Sequence, residues 1–182
     1  WSKKYFSFAG AVVFILFSVI SKAQFSGIDW SSSVGGSLSD KAYSVAVLPD
    51  GSSILTGVTY STDLDVIGNH GFYDVWIVKL NSAGLFKWGK SLGGTDVDEG
   101  FTITATDDGG FIIGGASTSS NGDLTLNHGG FDGWIVKTDS TASIMWEKSV
   151  GGSDGESINK IIPLSNHQYF VGGSTRSEDY DV

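Results

Sequence analysis

The 182-residue chain contains no cysteine. That absence excludes a disulfide scaffold, a cysteine-ligated zinc or iron–sulfur site and a cysteine nucleophile. Positive charge is scarce: 11 Lys and Arg stand against 20 Asp and Glu, a net of −9, whereas a nucleic-acid binder needs a basic footprint. The longest apolar run, residues 8–20, covers 13 positions and falls short of the roughly 20 needed to span a bilayer as a helix. Proline and methionine are nearly absent, at 2 and 1. Glycine, by contrast, reaches 26 residues, about twice the usual ~7%. It is not placed at every third position, as collagen requires. Aromatics at 13% give the chain the means to build a core, which a disordered segment lacks.

The apolar run follows Lys3 and Lys4 and ends in Ser21-Lys22-Ala23 before Gln24. This order of charged, apolar and small residues predicts a secretory signal peptide over residues 1–23. No cysteine follows it, so lipoprotein anchoring is not expected. Cleavage after Ala23 leaves 8 basic and 20 acidic residues, a net of −12, with no stable membrane span. The protein is therefore expected to be secreted or held at the cell surface.

The remainder is a repeat. Trp30, Trp88 and Trp146 are each 58 residues apart, as are the pairs Gly35-Gly36, Gly93-Gly94 and Gly151-Gly152. Asp40, Asp98 and Glu156 keep the same register, and residues 69–79 align with 127–137 without a gap. Four stretches per unit read as strands, near 42–48, 53–59, 75–80 and 85–92, with Asp50-Gly51 and Asp108-Gly109 as hairpin turns. No segment of the mature chain shows a helical period with caps. Four antiparallel strands per unit predict an all-β fold of propeller-like blades. The organisation follows as a lone outer strand over 24–36, repeat 1 over 37–94, repeat 2 over 95–152 and a partial repeat 3 over 153–182. In a complete ring the lone strand, entering at Ile28-Asp29-Trp30, would finish the last blade and remove an exposed edge. Two units and part of a third are fewer than the ~4–8 blades of a propeller, so the chain is expected to be a fragment with an incomplete ring.

Polar residues that recur with the repeat favour structure over catalysis, because a catalytic site needs a few differentiated groups. Asp40, Asp98 and Glu156 are expected to cap the Gly-Gly turns four residues before them. Trp88 and Trp146 are expected to wedge between blades. The long loop of each unit carries Asp63, Asp65, Asn69 and Asp74, then Asn121, Asp123, Asn127 and Asp132. Alternating oxygen side chains of this kind suit either a calcium ion or a loop of Asx turns. Gly151-Gly152-Ser153-Asp154-Gly155 matches G-x-S-x-G, but no helix is readable after it, and the other units hold Ser37 and Thr95 in place of Ser153. A sialidase-type Asp-box fails at Ile113, and Arg176 is the one arginine in the chain. No catalytic residue is therefore assigned.

Trp88, Lys90, Gly93, Gly94, Thr95, Asp108, Gly109, Gly110, Phe111, Gly115, Ser117, Ser119, Gly129, Asp132, Trp134 and Lys137 form a unit that resembles repeats in secreted, surface-associated proteins of Bacteroidetes-type bacteria. The resemblance covers the mature chain. It implies a propeller, and in many members a C-terminal sorting domain of the type IX secretion route, which is not seen in this sequence. These readings predict an exported, non-enzymatic repeat scaffold that binds surface glycan or protein. The alternative is a piece of a propeller hydrolase or lyase with its catalytic residues elsewhere.

Overall fold

A computed structural model describes residues 12–13, 30–164 and 166–180. The predicted signal peptide and its cleavage point lie outside the described residues, apart from Val12–Val13 (β1), which runs antiparallel to Ser33–Val34 (β2). Asp40–Val47 (β3), Ser53–Thr59 (β4), Asp74–Leu80 (β5) and Phe86–Leu92 (β6) form a four-stranded antiparallel meander. Asp98–Ala105 (β7), Phe111–Ser117 (β8), Asp132–Thr138 (β9) and Ile144–Val150 (β10) repeat it 58 residues later. Ser157–Pro163 (β11) and Tyr169–Ser174 (β12) open a third sheet. Among the described residues there is no helix and no closed ring.

The sheets stack face to face, which explains why their middle strands are apolar on both sides. Ile54, Val75 and Ile77 of the first sheet share a core with Ile103, Ile113, Trp134 and Val136 of the second. On the second sheet's other face, Ile112 and Ile135 meet Ile158 and Ile161 of β11. Trp30 and Val34 pack with Leu55, Trp76 and Val78 on the outer face of the first sheet. There Trp30 lies against Gly84, and Trp88 one unit later packs on the core that holds Ala142, the counterpart of Gly84. The lone segment thus sits against the first sheet as β6 sits against the second. Trp146 lies near the Tyr169 ring, 6.4 Å between centroids, and stays partly exposed.

Each end face keeps an uncovered part, that of the first sheet lying beyond the patch under Trp30 and Val34. Val45 is 45% exposed, whereas its counterparts Ile103 and Ile161, each facing a preceding sheet, are 4% and 2% exposed. At the far end Phe170 is 66% exposed, while Ile54 and Ile112 at the same register are fully covered.

Each first hairpin carries a β-bulge at the same place, at Tyr43 in β3, Phe101 in β7 and Asn159 in β11. Opposite it stand Gly57, Gly115 and Gly173, where a Cβ would overlap the carbonyl oxygen of Lys41, Glu99 or Ser157. Glycine is required there by close approach of two backbones. Gly115→Ala is therefore expected to destabilise the fold by about 3 kcal/mol, at the upper end of overpacking costs. Gly172→Ala, with nothing within 4 Å of the added carbon, is expected to change stability by less than ~0.5 kcal/mol. Urea denaturation of the two variants checks this, and equal losses would overturn the assignment.

Candidate functional site

The residues with chemical potential gather at one rim, where β3, β5, β7 and β9 begin and β4 and β8 end. One acid per unit organises it. Asp40 accepts hydrogen bonds from the Gly36 N–H at 2.7 Å, from Ser61 at 2.9 Å and from Thr59. Asp98 accepts from the Gly94 N–H at 2.7 Å, from Ser119 at 2.9 Å and from Ser117. Glu156 repeats the pattern with the Gly152 N–H at 2.8 Å, Thr175 at 2.9 Å and the Ser177 N–H at 3.1 Å. The acid thus caps the Gly-Gly turn, and it also ties that turn to the end of the second strand. Those partner hydroxyls were assigned no role from sequence. The signal for them is a Ser or Thr 19 residues and a Ser 21 residues after each acid, in all three units.

The eight residues considered for calcium are distributed over three tasks. Asp63 and Asn121 accept the N–H groups of Ser37 and Thr95 at 2.8 and 2.9 Å. Asp65 and Asp123 accept those of Gly35 and Gly93 at 3.2 and 3.1 Å. Asn69 and Asn127 donate to the carbonyls of Ser61 and Ser117 at 3.1 and 3.0 Å, holding the long loop to the strand end. Asp74 and Asp132 are fully buried at the starts of β5 and β9, each bonded through Oδ2 to the N–H and Nδ1 of His70 or His128. Among the described residues no three acid or histidine side chains converge as a metal would need. Backbone N–H groups turned toward all eight of these side chains are the surroundings of a capped carboxylate or amide. A calcium ion would want six to eight oxygens instead.

Two carboxyls meet at each junction between units. The Asp98 N–H donates to the Tyr73 carbonyl at 2.6 Å, bringing Asp98 beside Asp74, and Gly93 lies against both side chains. At the next junction a Cβ on Gly151 would stand 2.6 Å from Glu156 Oε2 and 2.9 Å from Asp132 Oδ1. Oδ1 of Asp74 and of Asp132 finds no hydrogen-bond partner among the described residues. Burial pushes the Asp74 carboxyl above the ordinary aspartate range against the pull of His70, and the nearby Asp98 pushes the same way. Burial also raises Asp98, against its bonds from Ser117, Gly94 and Ser119. Glu156 moves oppositely: burial pushes it up, but the Gly152 N–H and the Ser177 and Thr175 groups outweigh that and leave it at about 2.

The opposite rim holds the Asp-Gly turns. Lys137, almost wholly buried, reaches Asp108 at 2.8 Å, and this bond keeps the Asp108 carboxyl well below its usual range. Ser153 of the G-x-S-x-G stretch gives its N–H to Asp179 at 2.8 Å, and the chain continues into β11 without a helix, so no nucleophile elbow is formed. One feature of the loop rim had no counterpart in the sequence reading. Tyr60, Phe72 and Tyr73 form an aromatic cluster on the first unit, with Tyr60 5.0 Å from Tyr73 and 6.1 Å from Phe72 between ring centroids.

These observations define an all-β protein of stacked, blade-like four-stranded sheets, braced by buried acids at one rim. No family model matches the sequence. The chain is similar to the regulatory protein FlaEY of Caulobacter vibrioides, at 27% identity over 157 residues. The match takes in 81% of this chain and spans 16% of the length of FlaEY.

Two measurements test the rim. Because Asp74 has a raised folded value, the folded chain holds that proton to higher pH than the unfolded chain. Its contribution is most favourable below the ordinary aspartate value of about 3.9 and is lost as pH rises through the folded value. Asp74→Asn removes that charge and offers Asp98 an N–H donor. Its stability relative to wild type is expected to improve between pH 4 and pH 8, by about 1.4 kcal/mol for each unit by which folding raises the Asp74 value. Urea titrations at both pH values check the sign. Separately, Asp65→Ala is expected to lower the unfolding temperature equally in calcium and in chelator, through loss of a turn cap. A calcium-induced rise in wild type that Asp65→Ala abolishes would assign the loop to the ion.

Proposed function

We propose that this chain is an exported, non-enzymatic repeat scaffold whose units are propeller blades, and that it binds glycan or protein at the cell surface. The carrying observation is the use made of the polar side chains at the loop rim. The repeated acids and amides brace turns and strand ends, whereas the Tyr60–Phe72–Tyr73 cluster, of which Tyr60 and Phe72 are exposed and Tyr73 half-buried, is unrepeated. A hydrolase or lyase would instead need differentiated groups facing a common point. Export rests on the charge order and short apolar run at the N-terminus. The type IX route rests on the resemblance of the repeat.

Ring closure is supported by the open faces. Val45 and Phe170 occupy registers that are buried wherever a neighbouring unit is present, and Trp30 and Val34 already take the place of a preceding blade's fourth strand. A head-to-tail stack in which every face finds the same partner ends only by closing on itself.

Two experiments test these proposals. Secretion from a bacterial host is expected to yield a chain beginning at Gln24, and an uncut Ala23-Gln24 bond would count against export. Extending the chain with further copies of residues 95–152 is expected to raise stability. Val45→Asp is expected to be nearly neutral in the original chain and to cost about 3 kcal/mol once a ring buries position 45, as an unpaired buried charge does. Equal small effects in both chains would rule out closure.

A further inference from the structure

We propose that Asn121 is a site of spontaneous deamidation: its side-chain amide closes on the Gly122 nitrogen and then opens to an acidic residue. The observation is a difference among three equivalent turns. Asp63-Leu64, Asn121-Gly122 and Asp179-Tyr180 hold the same place in the three units. Leu64, Gly122 and Tyr180 all take positive φ there, at 57°, 70° and 58°. The turn thus forms with an acid in first place and a side chain in second. The second unit alone pairs an amide with a glycine.

The reacting groups are both accessible. Asn121 is exposed, and so are its two side-chain bonds, which accept the Thr95 N–H and donate to Thr95 Oγ1, both at 2.9 Å. These bonds can open without disturbing the core. Among the described residues the Gly122 N–H has no hydrogen-bond partner. Glycine also puts no Cβ beside the attacking nitrogen. Asn69 and Asn127 are the contrast. Each is followed by a histidine whose N–H donates at 2.9 Å to a buried aspartate, Asp74 or Asp132. Their Nδ2 groups are tied to the carbonyls of Ser61 and Ser117. Of the six asparagines in the chain, Asn121 alone precedes glycine.

The reaction balances with water as its one co-reactant. The deprotonated Gly122 nitrogen bonds to Asn121 Cγ, the Cγ–Nδ2 bond breaks, and ammonia leaves with a proton from solvent. Water then opens the five-membered imide, restoring the Gly122 N–H and leaving a carboxylate. Opening at Cγ gives aspartate, and opening at the backbone carbonyl gives isoaspartate. Aspartate is what the sibling turns already carry: Asp63 and Asp179 accept the Ser37 and Ser153 N–H groups at 2.8 Å, as Asn121 accepts that of Thr95. The turn therefore tolerates the added charge and loses only the donation to Thr95 Oγ1. Isoaspartate lengthens the backbone by one carbon and moves the Asp123 N–H off the Gly93 carbonyl, now 3.0 Å away. The modification does not rest on the scaffold reading; it adds a slow change of charge at the loop rim.

The test keeps the folded chain in mildly alkaline buffer and follows its peptides by mass spectrometry. The Asn121 peptide is expected to gain the mass of an amide turned to an acid, at a rate that rises with hydroxide. The Asn69 and Asn127 peptides are expected to change at least about tenfold more slowly, because the next N–H must first leave a buried carboxyl. Asn121→Gln needs a six-membered ring and Gly122→Leu copies the first unit, so each is expected to slow the change about tenfold or more. Asn121→Asp is expected to match modified wild type in charge and to unfold within about 2 °C of wild type, as exposed substitutions do. An unchanged Asn121 peptide, equal rates at Asn69 or Asn127, or a wild-type rate in Gly122→Leu would each overturn the site. If Gly122→Leu fails to fold, Asn121→Gln carries the same comparison. A much lower unfolding temperature in Asn121→Asp would overturn the fit of the product to the turn.

Discussion

One buried carboxylate per unit holds the loop rim together. Asp40, Asp98 and Glu156 each receive a backbone N–H from a Gly-Gly turn and hydroxyl or N–H bonds from the residues that follow the second strand. Removing such a carboxylate would orphan several buried donors together, a loss larger than any one hydrogen bond. The turn also carries the chain from the last strand of one sheet to the first strand of the next. The acid that caps it therefore braces the link between consecutive sheets, whose residues Ile54, Ile103 and Ile113 share one core.

This arrangement has a cost at the junctions. Asp74 must start β5 next to Asp98, and two carboxyls in a buried space repel unless one is neutral. The same segment lays Gly71 against Thr95 of the following turn and holds His70 on Asp74. Glycine absorbs the crowding at Gly93 and Gly151, where a side chain would collide with the acids. The bulges at Tyr43, Phe101 and Asn159 do similar work lower in the sheets, bending the first strand across a glycine on the second.

Much of the fold was legible in the sequence, and for a physical reason. Period-2 alternation and Asp-Gly turns are local, and the 58-residue register repeats each local signal, so β4 and β8 fall on the stretches that the sequence marks. The capping acids were legible too, because an acid four residues after a Gly-Gly pair is within reach of its own turn. The partners of Asp40 in Thr59 and Ser61 were not, since they come near only when β3 and β4 pair. The loop acids stayed ambiguous because the oxygens that ligate a cation also cap N–H groups, and a one-dimensional pattern does not say which donor faces them. The aromatic cluster was hidden by sequence distance: Tyr60 and Phe72 are separated by the whole loop that folds back between them.

The gap-free register also bears on how such a gene changes length. Each junction draws its bonds from one unit and the next, at positions that recur every 58 residues. An unequal crossover between the segments encoding Trp88 and Trp146 removes or adds one whole unit, and every cap, bulge and core face still meets a partner of the right kind. A crossover out of phase by a single residue would shift the register of the strand in which it falls and move its side chains to the opposite face. Selection on folding alone therefore permits the array to grow and shrink in whole units and forbids other steps.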